Sequence, residues 1–342
     1  MTKDFLLGIA LIFLSGIFNG SFAWPMKYTH RWQWENLWLL FTFLALIVMP
    51  IPLTVGTVPH LRELYMGAPA REFLPAIIFG FLWGIAQVTY GLGIAAVGMA
   101  LAVAVVTGLT GLLGSLIPMV VLNPADLLRP MGISLLAGMP ILILGLVLYG
   151  MAGLRREEEQ KSRKGRSVER KMSFAAGLAI CVFTGVFGSM LNFGFAFSGS
   201  LLRRSVQLGA NPAFSTYAVW TIVLAAGFVP NILYCSYLLV RNRTWGLYRS
   251  QGWPREAALA GAMAVLWLAG VFGYGSGATF LRSSGTSLGF ALFVSSVVLA
   301  SNLLGVLTGE WDGTTIKTKR LLTAAVIAVL LSVGVLGLGG LF

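Results

Sequence analysis

The chain has 342 residues, of which 57% are hydrophobic and only 11% are charged. An ordinary soluble domain carries about 25% charged residues, so this composition argues against a soluble enzyme. The net charge of +12 does not indicate a nucleic-acid partner, because the Lys and Arg residues are clustered between long apolar segments. With only two His and two Cys residues, we expect no metal site, no cofactor and no disulfide framework.

Ten segments are long and apolar enough to cross a bilayer, which takes about 20 residues in a helix. In chain order they cover residues 5–24, 37–56, 73–96, 99–122, 132–153, 174–198, 214–240, 257–281, 286–308 and 321–342. The first segment has no small-x-small cleavage site, so we predict a helix there and not a signal peptide. The sequence therefore predicts an all-α integral membrane protein with ten transmembrane helices.

The longest polar stretch, residues 154–172, divides the ten segments into five and five. We predict a first five-helix repeat over residues 1–153, a charged cytoplasmic linker over 154–172 and a second repeat over 173–342. If the N-terminus is outside, the inner connections hold 17 Lys and Arg residues and the outer ones hold 7. Since basic residues favour the cytoplasmic side, both termini are predicted to be external.

Aromatic residues mark one predicted inner boundary. Trp32, Trp34 and Trp38 lie beside the start of the second apolar segment. Indole rings anchor well at the membrane–water interface, so we expect these three side chains to lie there.

An internal repeat relates the third segment to the eighth. Residues 82–93 have the sequence LWGIAQVTYGLG and residues 266–277 have LWLAGVFGYGSG, which share Leu-Trp and Tyr-Gly-x-Gly at the same spacing. Because each half contains an odd number of spans, the two halves would insert with opposite orientations. The sequence thus predicts a five-plus-five inverted repeat, for which secondary transporters place the substrate site near the midplane between the halves.

The repeated residues define a candidate substrate site. Trp83 and Trp267 lie near mid-membrane by the rise of about 1.5 Å per helical residue, and amides inside apolar segments cost free energy unless they are paired or face water. The predicted substrate-binding residues are Trp83, Gln87, Tyr90, Asn19, Asn192, Trp267, Tyr274 and Asn302. The alternative for these residues is helix packing and interhelical hydrogen bonding.

The chemistry of this set suits a neutral polyol. No Asp, Glu, Lys, Arg or His lies at the centre of an apolar segment, and the nearest acids are Glu35 and Glu310 at segment ends. Amides can bind sugar hydroxyls and aromatic rings can stack on the apolar face of a sugar. The sequence contains no catalytic dyad, triad or phosphate loop, so we expect a transporter and not a membrane enzyme.

Motifs over most of the chain carry a family resemblance. They are Phe22-Ala23-Trp24-Pro25, Trp32-Gln33-Trp34-Glu35-Asn36-Leu37-Trp38, Phe79-Gly80, Trp83-Gly84-Ile85, Tyr90-Gly91-Leu92, Gly98-Met99, Gly108, Thr110, Gly114, Tyr274, Gly277 and Glu310-Trp311. With these motifs the chain resembles the bacterial L-rhamnose–proton symporter family, in the drug/metabolite transporter superfamily of ten-helix inverted-repeat carriers.

The resemblance implies uptake of L-rhamnose or a related monosaccharide with a proton, by alternating access, across the bacterial inner membrane. Some relatives carry a histidine in the first helix, where this chain has only apolar residues and Asn19. They carry a second histidine just after the tyrosine of the eighth helix, where this chain has Ala278. Glu310 and Glu35 are then the proton-coupling candidates; the alternative is that they are solvated or ion-paired boundary residues. Alternative functions are a metabolite or amino-acid exporter of the same superfamily, an uncoupled sugar facilitator, and a channel or scaffold.

Overall fold

In a computed structural model of the protein, residues 2–164 and 173–339 are described. The regular structure of these residues is entirely helical. The α-helices in chain order are α1 (Thr2–Ser21), α2 (Trp34–Phe43), α3 (Pro50–Thr57), α4 (Leu61–Gly67), α5 (Ala70–Val97), α6 (Met99–Leu122), α7 (Pro130–Lys164), α8 (Phe174–Gly188), α9 (Met190–Ala196), α10 (Gly199–Gln207), α11 (Pro212–Arg241), α12 (Trp253–Phe280), α13 (Leu288–Leu307) and α14 (Ile316–Leu338). Short 3₁₀ helices cover Pro25–Tyr28, Pro124–Leu128, Trp245–Arg249 and Arg282–Ser284.

Ten helical spans among the described residues are long and apolar enough to cross a membrane. They correspond one to one with the ten predicted segments, which confirms the all-α, multi-pass membrane fold. Two of the spans are interrupted. A π-helical turn, Leu44–Val48, joins α2 to α3 in the second span, and the sixth span is divided into α8, α9 and α10.

The predicted linker begins as a helix, because α7 continues to Lys164. Glu157 accepts a hydrogen bond from the backbone N–H of Ala100 in the first turn of α6, at 3.2 Å. Glu159 accepts hydrogen bonds from Thr315 and Thr318 at the start of α14. Carboxylates at helix N-termini complement the helix dipole, so these acids tie the end of α7 to both halves of the protein. The rest of the predicted linker, 165–172, lies outside the described residues.

The helices pack in a pattern that the predicted repeat explains. Helix α1 packs mainly against α12 and α13, while α8 packs mainly against α5 and α6. Exchanging each span with its counterpart in the other half turns the first set of neighbours into the second. Helices α7 and α14, the fifth and tenth spans, pack against each other. The opposite insertion of the halves and the repeat boundaries stay predictions.

Two of the three boundary tryptophans are buried within the protein, so they do not anchor it through contact with lipid as expected. Trp32 and Trp38 are only 7% and 9% exposed. The Nε1–H of Trp32 donates to the carbonyl of Leu247, and that of Trp38 donates to Oδ1 of Asn231, each at 3.0 Å. The reason is that the start of α2 folds against α11 and the 3₁₀ helix Trp245–Arg249, which cover both rings.

Candidate functional site

The repeat-related tryptophans meet at the centre of the bundle. The rings of Trp83 on α5 and Trp267 on α12 stack with centroids 5.6 Å apart and an interplanar angle of 24°, and each side chain is 4% exposed. We expected these residues to wall a cavity. In this conformation the two indoles instead contact each other and fill the space between their helices.

Glycine creates the room for the Trp83 ring. A Cβ at Gly227 on α11 would lie 2.6 Å from Cε3 of Trp83, and a Cβ at Gly84 would clash with the Gly227 backbone. Contacts between carbon atoms are normally 3.5–4.0 Å. Helices α5 and α11 can therefore cross this closely only because both positions lack side chains.

The predicted residues Tyr274 and Asn192 are joined by a hydrogen bond. The hydroxyl of Tyr274 donates to Oδ1 of Asn192 at 2.6 Å. The amide of Asn192 donates to the carbonyls of Gly114 at 2.7 Å and Thr286 at 2.6 Å. Asn192 is fully buried, and it lies in the first turn of α9, just after the break between α8 and α9. Interrupted membrane helices are typical of transporter binding sites, so this break is a second indication beside the repeat.

The corresponding part of the first half is more open. Tyr90 and Gln87 are half-buried, and neither has a hydrogen-bond partner within the described part of the chain. A Cβ at Gly91 would meet nothing within 4 Å, whereas a Cβ at the repeat-related Gly275 would clash with Nε1 of Trp220. The Tyr274 hydroxyl is hydrogen-bonded, whereas the Tyr90 hydroxyl has no partner among the described residues.

The other predicted asparagines, Asn302 and Asn19, form no hydrogen bond with this pair among the described residues. Asn302 is 4% exposed, and its amide donates to the carbonyl of Val298 in its own helix at 2.8 Å. The Oδ1 atom of Asn302 is buried without a hydrogen-bond partner among the described residues. Asn19 lies at the contact of α1 with α12, where a Cβ at Gly270 would be 2.6 Å from its own Cβ.

Glu310 is held between two basic side chains. Its Oε1 accepts a hydrogen bond from Lys27, and Nη1 of Arg156 lies 3.1 Å from its Oε2. Arg156 also lies over the ring of Trp311, 4.8 Å from the centroid. Burial alone would raise the pKa of Glu310, but the hydrogen bond and charge of Lys27 and the charge of Arg156 lower it overall. Glu310 is therefore ionised in this conformation.

Glu35 is buried among neutral donors. It is 4% exposed, and its Oε1 accepts hydrogen bonds from Nδ2 of Asn242 and Oγ1 of Thr244, each at 2.9 Å. Within the described ranges Glu35 forms no ion pair. The prediction of an acid at the inner boundary thus corresponds to a buried carboxylate and not to a solvated one.

The sequence analysis missed a further buried acid, Glu256. It is 1% exposed, its Oε1 accepts from the backbone N–H of His30 at 3.3 Å, and its Oε2 is buried without a partner among the residues described. Glu256 lies one residue before the eighth predicted apolar segment, 257–281. The signal that could have found it is Pro254, a residue favoured in the first helical turn, which puts Glu256 on the same buried stripe as Ala260, Met263 and Trp267.

A multi-pass helical bundle with uncharged polar and aromatic side chains buried between its halves defines a small-molecule membrane transporter. The chain belongs to the L-rhamnose-proton symport protein family, whose model matches residues 1–341. Relatives named L-rhamnose-proton symporter include proteins of Pectobacterium atrosepticum, 25% identical over 346 residues, of Mannheimia succiniciproducens, 24% identical over 346 residues, and of Yersinia pestis, 24% identical over 349 residues. Each comparison covers 99% of both chains. These relatives are named as transporters and not as enzymes.

Proposed function

We propose that this protein takes up L-rhamnose or a closely related neutral monosaccharide together with a proton across the bacterial inner membrane. The observation that carries the proposal is the family match over residues 1–341. The buried central cluster supports it, because that cluster consists of aromatic and amide groups. A charged substrate would require a countercharge at this depth.

The proposed sugar site lies between the Trp83–Trp267 pair and the Tyr274–Asn192 hydrogen bond. Indole and phenol rings can stack on the apolar face of a pyranose, and amides can donate to and accept from its hydroxyls. Gln87, Tyr90 and the free acceptor of Asn302 supply further polar groups. Asn19 contributes from α1. The sugar would have to separate the two stacked indoles, so we propose that this conformation is the empty carrier.

A difference between the repeats supports alternating access. The Tyr274 hydroxyl is hydrogen-bonded to Asn192, whereas the Tyr90 hydroxyl has no partner among the described residues, although the two positions are related by the predicted repeat. If the halves exchange these conformations, the same site opens first to one side and then to the other. The proposed transport cycle is this exchange, with sugar bound near the midplane in both states.

Proton coupling needs a group whose proton occupancy differs between the two states. Glu310 is our first candidate and Glu35 is the second. Because Lys27 and Arg156 keep Glu310 ionised here, we assign this conformation to the proton-released state. Rearrangement that separates the carboxylate from both cations would leave it partly buried and raise its pKa, so that a proton could bind.

The deciding experiment uses purified protein in proteoliposomes with labelled L-rhamnose. A proton gradient should drive accumulation, and saturable counterflow should persist when the gradient is collapsed. Counterflow without accumulation would identify an uncoupled facilitator, and a pore would show no exchange. Absence of any L-rhamnose transport, with transport of an amino acid or another metabolite instead, would favour the exporter.

Sugar binding can be measured separately from transport. A ligand at 100 times its dissociation constant should stabilise the folded protein by about 2.7 kcal/mol. In a panel of neutral sugars, L-rhamnose or a near relative should therefore raise the unfolding temperature most. A panel in which no sugar changes the unfolding temperature would contradict the proposed substrate class.

A further inference from the structure

An apolar groove lies on the side of the bundle, between α2 and α11. Its volume is about 280 Å³. The walls are formed by Leu39, Leu40, Phe43, Phe228, Ile232, Trp245 and Tyr248. The hydroxyl of Tyr248 is already used, since it donates to the carbonyl of Asn36 at 3.0 Å. The groove therefore offers almost no free hydrogen-bonding group to an occupant.

The groove opens toward the surroundings of the bundle at the depth of the membrane spans. Phe43 is 43% exposed and Trp245 is 50% exposed. On the same helix as the groove wall, Leu233 and Val240 are 66% and 67% exposed. Apolar side chains this exposed on a membrane span face lipid, so the groove continues the lipid-contacting surface and is reached from the bilayer.

Two exposed arginines adjoin, in sequence, the aromatic residues of one groove wall. Arg243 lies two residues before Trp245, and Arg249 directly follows Tyr248 at the end of the 3₁₀ helix. Neither arginine has an ion-pair partner within residues 2–164 and 173–339. The nearby acid Glu35 is buried and bonded to Asn242 and Thr244. Two exposed guanidinium groups are therefore carried by the segment that also supplies the groove residues Trp245 and Tyr248.

We propose that this groove binds an anionic diacyl phospholipid such as phosphatidylglycerol. One acyl chain lies along the apolar walls, and the phosphate is bound by Arg243 and Arg249. Basic groups beside membrane-facing clefts are suited to anionic lipid headgroups, and a guanidinium can bind a phosphate through two parallel hydrogen bonds. A sugar does not fit this groove, because its hydroxyls would lose their hydrogen bonds to water without replacement.

The position of the groove gives the bound lipid a place between the two halves. Helix α2 belongs to the first predicted repeat and α11 to the second, and the π-helical turn Leu44–Val48 begins directly after Phe43. A lipid seated here contacts both halves at once. Its binding does not depend on the proposed sugar or on proton coupling, so the two ideas can fail separately.

The test uses the full-length protein in phosphatidylcholine vesicles that contain a fixed fraction of lipid with brominated acyl chains. Bromine quenches nearby indoles, and the signal of Trp245 is the difference between the native protein and Trp245→Phe. Brominated phosphatidylglycerol should quench Trp245 at least twofold more than brominated phosphatidylcholine at the same fraction. The double variant Arg243→Gln/Arg249→Gln should lose this preference.

A matched variant separates a specific site from a general charge effect. Lys319→Gln/Arg320→Gln removes the same charge from exposed residues of α14, away from the groove, and should keep the preference. Ile232→Phe narrows the groove and should reduce quenching by both lipids. Equal quenching by the two lipids in the native protein would overturn the proposal. So would a preference that survives the Arg243→Gln/Arg249→Gln change or disappears equally in the α14 control.

Discussion

At the scale of single residues, the stacked pair of Trp83 and Trp267 gives the sharpest test of the sugar site. Ring stacking contributes about 0.5–1.5 kcal/mol beyond area burial, and loss of the buried ring area adds to this. A change of about 1.4 kcal/mol corresponds to a tenfold change in affinity. Trp83→Ala should therefore weaken L-rhamnose binding at least about tenfold in calorimetric titration. Trp253→Ala, which removes a 49% exposed indole at the start of α12, should leave the affinity unchanged. Equal losses in both variants would remove Trp83 from the site.

The substitution Tyr274→Phe tests whether the hydroxyl of Tyr274 contributes to sugar binding separately from its ring. The change keeps the aromatic contacts and removes the donor to Asn192, which leaves a buried amide oxygen without a partner. The unpaired oxygen lowers the stability of the folded protein. We expect sugar affinity to fall by up to about tenfold, because the variant also lacks the hydroxyl that would hydrogen-bond the sugar, and one such bond contributes about 0.5–1.5 kcal/mol. The same titration measures it. Native affinity in Tyr274→Phe would show that only the ring matters.

Glu310 carries the prediction on coupling. Glu310→Gln cannot exchange a proton, so proton-gradient-driven accumulation should be abolished while sugar counterflow persists. The control is Glu63→Gln, an acid that is 65% exposed near the end of another span and should transport normally. If accumulation is unchanged in Glu310→Gln and also in Glu35→Gln, neither residue carries the coupling proton.

The pairing of Glu310 also predicts a dependence of stability on pH. Its pKa in the folded protein is lowered from the ordinary value of 4.5, so its ionised form is favoured by folding. This stabilisation is fully present above pH 4.5 and is lost as the pH falls through the lower pKa of the folded state. The native protein should therefore unfold at a higher temperature than Glu310→Gln at pH 7, and the difference should shrink below pH 4.5. A difference that is constant with pH would exclude the ion pairs as its source.

Site residues could be predicted from the sequence where a local motif marked them. Contacts between distant spans could not be predicted, because they leave no local motif. The duplicated Leu-Trp and Tyr-Gly-x-Gly strings were enough to relate Trp83 to Trp267, which do meet. Hydrogen bonds between distant spans, such as that from Trp38 to Asn231, leave no pattern in a single sequence. The position of a tryptophan near a span end was therefore a poor guide to its exposure.

At the scale of helices, the crossing of α5 and α11 depends on the absence of side chains. Gly227→Ala would place a methyl carbon only 2.6 Å from Cε3 of Trp83. Overpacking of this kind costs about 1–3 kcal/mol, so the unfolding temperature in detergent should fall and sugar binding should weaken. Gly261→Ala on α12 is the matched control, because a Cβ there meets nothing within 4 Å. A Gly227→Ala protein as stable as Gly261→Ala would contradict the packing argument.

Hydropathy predicted where the spans are, since a bilayer imposes length and apolar character on any helix that crosses it. It did not predict how helices continue or break. The polar end of α7 is predicted as a linker because its charged residues follow the last apolar residues of the span. In the structure, Glu157 and Glu159 accept hydrogen bonds at the N-termini of two other helices. Hydropathy likewise does not describe the break before Asn192 or the π-helical turn in the second span, which is followed by Pro50, a residue without a backbone N–H.

At the scale of the whole molecule, the two halves and their charges predict one orientation in the membrane. The excess of 17 basic residues over 7 predicts that the segment 154–172 is inside and that both termini are outside. The native cysteines, Cys181 and Cys235, are buried free thiols, so we expect little labelling of the native protein. In intact cells, Ser167→Cys should resist a membrane-impermeant thiol reagent and should react after the cells are opened.

A second cysteine on the opposite side of the membrane tests the same orientation independently. Met66 is 75% exposed at the end of α4, in a connection that the same orientation places outside. Met66→Cys should therefore react with the impermeant reagent in intact cells, while the native protein should react little under either condition. If Ser167→Cys reacts and Met66→Cys does not, the orientation is reversed. In that case Lys27, Arg156 and Glu310 lie at the outer end of the bundle, and the ion pairs that hold Glu310 ionised would gate entry of the proton from outside instead of its release inside.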